Sequence, residues 1–200
     1  YRGQVEALLN EQRFRDYEKP LNSDTSFWSD LGYVARTPLK TEADYRGYLA
    51  MLDAVPRFFA QNVANMEAGL ARGFTPARIS LEGRDIGVAQ VAEAKRAEDT
   101  LFYEPFRDMP HAIPADRQAA LRAEAVAAID RSVIPAHRAL LGFLQTRYLP
   151  GARRTIAAHD LPDGQAYYAS KVAEFTTLPL SPDEVHAIGL AEVAKIRARM

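Results

Sequence analysis

The sequence predicts an all-α fold, built as an irregular assembly of long and partly kinked helices. Apolar residues recur at helical spacing over long stretches of the chain. No stretch alternates apolar and polar residues for long enough to predict a strand. Pro56 and Pro135 fall inside two of the helical patterns, where a proline removes a backbone hydrogen bond and kinks the helix.

Residues 1–40 are predicted to form a short helix followed by an irregular segment. The helix covers residues 4–15, whose apolar residues lie on one face. Residues 16–39 lose this periodicity and are rich in proline, glycine, serine and asparagine, which predicts a loop. Its large apolar residues indicate that the loop packs against the rest of the protein; they are Phe27, Trp28, Leu31 and Tyr33.

Residues 41–150 are predicted to contain the longest helices. Thr41 and Asp44 approximate a capping box, and Gly73 suits a helix end. One face of this first helix is apolar, through Leu49, Leu52, Phe59, Val63, Met66 and Leu70.

Three further segments complete this region. Thr75-Pro76 has the composition of a helix start and predicts a helix to about residue 96, weakened by two glycines. Residues 99–114 are predicted to form a loop rich in aromatic residues that packs against the rest of the protein. A helix then runs from residue 115 to about 148 and ends at Pro150-Gly151.

Residues 151–200 are predicted to form two helices. One covers residues 163–175. The other begins where Ser181 caps the helix, Pro182 takes its first position and Glu184 reaches back in a capping box. The helical pattern still continues at Met200, so we expect residues 1–200 to be one helical region and a fragment of a larger domain.

Composition excludes several classes of function. The net charge is −1, from 25 basic and 26 acidic residues that are spread along the chain, so nucleic acid is not an expected partner. No apolar stretch reaches the roughly 20 residues that a membrane span needs. The chain has no cysteine, which excludes disulfides, zinc–thiolate sites and cysteine nucleophiles.

Motifs for catalysis or metal binding are also missing from the sequence. The four histidines (His111, His137, His159 and His186) are at least 22 residues apart, whereas a helical zinc site pairs histidines one turn apart. No Gly-x-Ser-x-Gly elbow is present. We assign no catalytic residue and no metal ligand to this chain.

A Pro-Asp-Gly turn leads into two adjacent tyrosines, Tyr167 and Tyr168. Neighbouring positions on a helix point about 100° apart, so both rings cannot serve one core face equally. Either one ring packs and the other presents its hydroxyl to a cleft, or both rings pack under a loop.

Several segments together resemble domain-of-unknown-function family 885. They are residues 69–76 (GLARGFTP), 102–106 (FYEPF), 161–168 (LPDGQAYY), 175–177 (FTT), 180–190 (LSPDEVHAIGL) and 192–196 (EVAKI). The resemblance spans nearly the whole chain, and the part from residue 161 to residue 196 is long and specific.

The resemblance implies a bacterial protein, often secreted, periplasmic or lipid-anchored, with the N-terminal part of a helical fold similar to zinc peptidases of the thimet-oligopeptidase and carboxypeptidase-Taq kind. The implied activity is peptide hydrolysis by a zinc-activated water. The family's metal motif, His-Glu followed by Pro-Gly-His, matches nothing here, so no ligand or general base transfers to this chain. By analogy, the chain lines a substrate channel, with Asp163, Gly164, Tyr167 and Tyr168 as substrate contacts.

The sequence leaves a non-catalytic protein-interaction module open as the alternative function. The final helix carries an apolar stripe that includes Val185, Ile188 and Ile196. If these side chains are exposed, we expect dimerisation through this helix, because exposed apolar patches promote association.

Overall fold

Most of the chain is helical in the computed structural model, which describes residues 2–200. The α-helices are α1 (Arg2–Phe14), α2 (Phe27–Ala35), α3 (Glu42–Arg72), α4 (Ile86–Ala92), α5 (Glu104–Arg107), α6 (Ala115–Ala128), α7 (Ile134–Phe143), α8 (Leu149–Gly151), α9 (Gly164–Thr176) and α10 (Pro182–Arg199). Short 3₁₀ turns connect several of them. The one β feature within residues 2–200 is an isolated bridge between Leu21 and Ser26. The all-α prediction is therefore confirmed; Tyr1, where the predicted 1–40 region begins, lies outside the described residues.

Two long helical columns lie side by side at the centre of the fold. The first column is α3. The second column, residues 115–151, joins α6, α7 and α8 through two π-helical turns. Exposed ion pairs connect the columns along their length: Glu42–Arg117, Arg46–Glu124, Asp53–Arg131 and Glu67–Arg147. Residue numbers rise together in these pairs, so the columns run parallel, and the chain between them must return over the full length of α3.

The main hydrophobic core lies between the columns. Leu52 and Met66 of α3 are fully buried, as are Leu121 and Ile129 of the second column, and all four belong to one hydrophobic cluster. Burying one such side chain contributes roughly 1.5–3 kcal/mol. The apolar face predicted for α3 is confirmed: its remaining members, Leu49, Phe59, Val63 and Leu70, are buried in this cluster or packed against it.

Two prolines of the second column each follow a π-helical turn. Pro135 comes after Ile129–Val133, and Pro150 comes after Leu144–Tyr148. A proline ring clashes with the carbonyl four residues earlier in a regular α-helix, and the wider π turn relieves that clash. The predicted departure from a regular helix thus occurs at Pro135, whereas α3 continues as α-helix through Pro56.

The loop predicted for residues 16–39 is partly wrong, because residues 27–35 form α2. A capping box of two serines begins this helix: the Ser26 hydroxyl accepts from the Ser29 N–H, and the Ser29 hydroxyl accepts from the Ser26 N–H. Phe27 and Trp28 are buried as expected, but the Tyr33 side chain is 71% exposed. Tyr33 therefore does not pack as predicted.

The continuous helix predicted for residues 76–96 is also wrong. Only a 3₁₀ turn (Arg78–Leu81) and the short α4 form there. The Thr75 hydroxyl does not cap a helix; it accepts a hydrogen bond from the backbone N–H of Arg153, at 3.0 Å. The aromatic segment that follows packs as predicted, with Phe102 and Phe106 fully buried.

The C-terminal helices form as predicted, and they position the candidate site. The Ser181 capping box at the start of α10 is present. Helix α9 packs against α1 and against the 3₁₀ turn Ala158–Asp160. Helix α10 touches the protein mainly through α9, and none of its residues is buried.

Candidate functional site

The predicted site begins at a tight turn into α9. Asp163 has a left-handed backbone conformation (φ 54°), and its side chain is exposed and makes no cap hydrogen bond. Gly164 is buried, and a Cβ atom there would lie 2.4 Å from the carbonyl oxygen of His159 and 2.5 Å from that of Ala158. Only glycine fits at this distance, so the turn holds the start of α9 directly against the preceding backbone.

The two tyrosines have different environments. The Tyr167 ring is half-buried and meets Phe14 and Phe74 edge-on, with ring centres 5.4 and 5.6 Å away. Its hydroxyl accepts a hydrogen bond from the Lys19 ammonium, at 3.2 Å. The Tyr168 ring is 47% exposed. Tyr167 therefore anchors α9 to α1 and to the end of α3, and Tyr168 presents its ring to solvent.

A buried ion pair lies next to the residues that contact Tyr167. The Glu18 carboxylate is almost fully buried and accepts a hydrogen bond from Nε of Arg72 at 2.7 Å; Nη2 of Arg72 lies 2.7 Å from the same oxygen, as an ion-pair contact. The same guanidinium donates to the Phe14 carbonyl at 3.0 Å and lies 4.5 Å from the centre of the Phe74 ring. Arg72 thus contacts the Phe74 ring and the backbone of Phe14, the two residues whose rings pack on Tyr167.

Charged groups surround the Tyr167 ring. The ammonium groups of Lys19 and Lys171 lie 5.2 and 5.8 Å from its centre, within cation–π range. Lys171 also pairs with Asp16 at 3.2 Å and with Glu174 at 3.0 Å. These contacts join α9 to the 3₁₀ turn after α1, so the predicted site residues lie on a helix with a defined position.

A second concave region lies where α2, α4, the 3₁₀ turn Leu101–Tyr103 and α7 meet. This region, here called the Arg84 pocket, has a volume of about 320 Å³. Its lining includes Arg36, Arg84, Gln90, Trp28 and Phe102. The sequence did not predict it, because its residues come from four separate segments and carry no motif.

His137 also lines the Arg84 pocket. It is 2% exposed, and its Nδ1 lies 2.8 Å from the Val133 carbonyl oxygen, which requires a proton on Nδ1. Burial lowers the pKa of His137 to about 4, although the bond to Val133 opposes this shift. The imidazole is therefore neutral at neutral pH, and it packs between the rings of Phe59 and Phe102, at 4.8 and 5.4 Å.

Within residues 2–200, no group of three or more histidine, aspartate or glutamate side chains is placed to hold a metal ion. In the same range, no helix has both the length and the apolar character needed to cross a bilayer.

Comparison with known proteins identifies a similar fold and a family. A crystal structure of a "putative lipoprotein" from Colwellia psychrerythraea matches with a TM-score of 0.80 at 23% identity, covering 89% of this chain and 31% of that one. The chain thus spans about a third of the length of that structure. No curated protein matches this chain. The model of the family described as "Bacterial protein of unknown function (DUF885)" matches residues 3–200, so the chain belongs to the DUF885 family, as its motifs had indicated.

Proposed function

We propose that this chain is the N-terminal helical part of a zinc-dependent peptidase and that it forms one wall of the channel that holds the peptide substrate. The proposal extends what the resemblance of the sequence motifs to this family implies, a helical metallopeptidase fold. In this proposal the zinc ligands come from a part of the protein outside residues 1–200, and the ion activates the water that attacks the peptide. The name of the structural neighbour supports a periplasmic or secreted location, with a lipid anchor.

The exposed Tyr168 ring on an anchored helix is the observation that carries the proposed substrate contact. Gly164 fixes the start of α9, and Tyr167 holds the first turn against the body of the protein. The Tyr168 hydroxyl is then free to donate a hydrogen bond to a peptide carbonyl. The exposed carboxylate of Asp163 can accept one from a peptide N–H or amine. Pre-positioned polar groups of this kind bind substrate at low entropic cost.

Hydrolysis of fluorogenic peptides by the full-length protein tests the substrate contact. Replacing Tyr168→Phe removes one hydrogen bond, worth about 0.5–1.5 kcal/mol, so kcat/KM should fall by roughly 2- to 12-fold. Tyr17→Phe is a matched control, because the Tyr17 ring is 46% exposed on a neighbouring turn. Equal kinetics for Tyr168→Phe and the unmodified protein, or an equal loss in both variants, would remove Tyr168 from the site.

Metal removal tests the reaction class separately. A zinc chelator should abolish peptide hydrolysis by the full-length protein, and added zinc should restore it. Hydrolysis that survives complete metal removal would exclude the metallopeptidase mechanism. Failure of the protein to cleave any member of a mixed-sequence peptide library would exclude peptidase activity.

Helix α10 favours a second candidate function, a non-catalytic module that binds protein. Its apolar side chains are about half exposed, at 48–60% for Ile188, Leu190, Val193 and Ile196. Exposed apolar side chains in this number favour association with a second copy of the chain. Light scattering after size-exclusion chromatography should then report a dimer, and Ile188→Asp should convert it to a monomer. A monomeric unmodified chain would contradict this second candidate.

A further inference from the structure

Two arginines that have no acidic partner among the described residues line one open pocket, the Arg84 pocket. The Nε atom of Arg84 is buried and has no hydrogen-bond partner. Arg36 lines the same pocket, and its side chain makes no ion pair within residues 2–200. Asp85, the acid next to Arg84 in the chain, instead accepts a hydrogen bond from Gln145 at 3.0 Å. No aspartate or glutamate is among the described residues that line the pocket.

An unpaired buried guanidinium nitrogen is rare in folded proteins, because buried polar groups almost always have a partner. Leaving a charged donor without an acceptor costs more than leaving a neutral one. A guanidinium presents its donors as a planar fork that matches the two oxygens of a carboxylate or phosphate. The positive charge and the missing acceptor at Arg84 therefore both point to an oxyanion.

The rest of the lining contains both polar and apolar side chains. Trp28, Val91 and Phe102 line the pocket and are themselves at least 93% buried. The volume of about 320 Å³ is at the lower end of the range for small-molecule sites. A pocket of this size has room for one ring and an acidic group, with the ring against the apolar wall and the acidic group at the arginines.

We propose that the Arg84 pocket binds a small organic oxyanion, a carboxylate or phosphate ester attached to a single apolar ring. Arg84 and Arg36 hold the anionic group, and Trp28 and Phe102 contact the ring. The site lies on different elements from Asp163–Tyr168, and it requires neither zinc nor peptide hydrolysis. Its test therefore succeeds or fails independently of the proposed peptidase function.

Calorimetric titration of the protein with three probes at pH 7.5 and low salt tests the ligand class. Phenylacetate carries the carboxylate, phenyl phosphate carries the phosphate, and phenylacetamide is the neutral analogue of the first. At least one anion should bind tenfold or more tightly than phenylacetamide, and the tighter anion identifies the natural group. If neither anion binds more tightly than the amide, the proposal is overturned.

Two glycine substitutions test whether the anion binds in the Arg84 pocket. Gly87 lines the pocket on α4, and a Cβ atom added there meets nothing within 4 Å. Leucine favours a helix over glycine, so Gly87→Leu should fold and fill the pocket, weakening anion binding at least tenfold. Gly142→Leu is the matched control, since Gly142 is exposed and helical, has the same open space and lies outside the pocket lining. Equal affinities in the two variants would place the ligand elsewhere and overturn the proposal.

Substitution of Arg84 tests its effect on anion affinity separately from its effect on the stability of the fold. Arg84→Gln should weaken binding of the anion tenfold or more, because a charge-assisted contact is lost, and should leave the affinity for phenylacetamide unchanged. The thermal midpoint of the ligand-free variant should stay the same or rise, because the substitution removes a buried donor atom, Nε, that lacks an acceptor. An unchanged affinity for the anion in Arg84→Gln overturns the assignment.

Discussion

Protonation of His137 should destabilise the fold as the pH falls below neutral. The imidazole is enclosed by Phe59 and Phe102 and donates to the Val133 carbonyl. Burial depresses its pKa from 6.5 to about 4 in the folded protein. Between these two values the unfolded chain binds a proton that the folded chain does not. Stability is therefore fully present above pH 7, declines as the pH falls through 6.5, and stops declining below about pH 4.

The size of the effect follows from the difference in pKa. Each pKa unit corresponds to about 1.4 kcal/mol, so the full loss is about 3 kcal/mol, of which roughly 2 kcal/mol should appear by pH 5. That is a large share of the roughly 5–15 kcal/mol that stabilises a typical domain. Exposed carboxylates whose pKa values are lowered by hydrogen bonds, such as Asp44, add a loss at more acidic pH.

Urea unfolding at half-unit steps from pH 7.5 to pH 5 measures this slope. His137→Gln keeps a hydrogen-bond donor but cannot titrate, so its free energy of unfolding should change with pH by roughly 2 kcal/mol less than that of the unmodified protein. His186→Gln is the matched control, because it makes the same exchange at an exposed position on α10. The same pH slope in His137→Gln and the unmodified protein would refute the buried, neutral imidazole.

Three further predictions concern the free energy of unfolding, measured by urea denaturation at pH 7.5. Gly164→Ala should lower it by about 2 kcal/mol or more, because the new Cβ meets backbone oxygens, whereas Gly189→Ala on α10 has open space and should not lower it. Tyr148→Phe removes a buried hydroxyl that has no hydrogen-bond partner and should leave the free energy of unfolding unchanged. Tyr48→Phe loses a hydrogen bond to a backbone carbonyl and should lower the free energy of unfolding by about 1 kcal/mol. Glu18→Gln should cost about 3 kcal/mol, because its arginine partner loses a buried counter-charge; no loss would show that this pair is dispensable.

Local chemistry explains which helices the sequence could predict. The capping boxes at Thr41 and Ser181 and the left-handed cap at Gly73 involve residues close in sequence, and all three are present in the structure. The start of α2 was missed because Ser29 replaces the usual glutamate of a capping box. The helix expected after Thr75 does not form, since the Thr75 hydroxyl is used by a backbone group 78 positions away.

The same distinction between local and distant contacts applies to the two sites. Helix geometry alone predicts that adjacent tyrosines diverge, and Tyr167 and Tyr168 do so. Their role in binding substrate stays a prediction. The Arg84 pocket had no sequence signal, because Arg36, Arg84 and His137 meet only after the two columns and the chain between them have packed.

The ion pairs between the two columns reveal a constraint on chain length. Alongside the 25 residues from Glu42 to Glu67, the second column advances 30 residues, from Arg117 to Arg147. Each π turn absorbs one residue more than an α-helical turn and takes up part of that surplus. Deleting a single residue within Ile129–Val133 should convert the π turn to an α-helical turn and keep Leu140 facing the core, whereas a deletion in a regular α-helical stretch would rotate everything after it by about 100°. Insertions and deletions among related sequences should therefore coincide here with the gain or loss of a π turn.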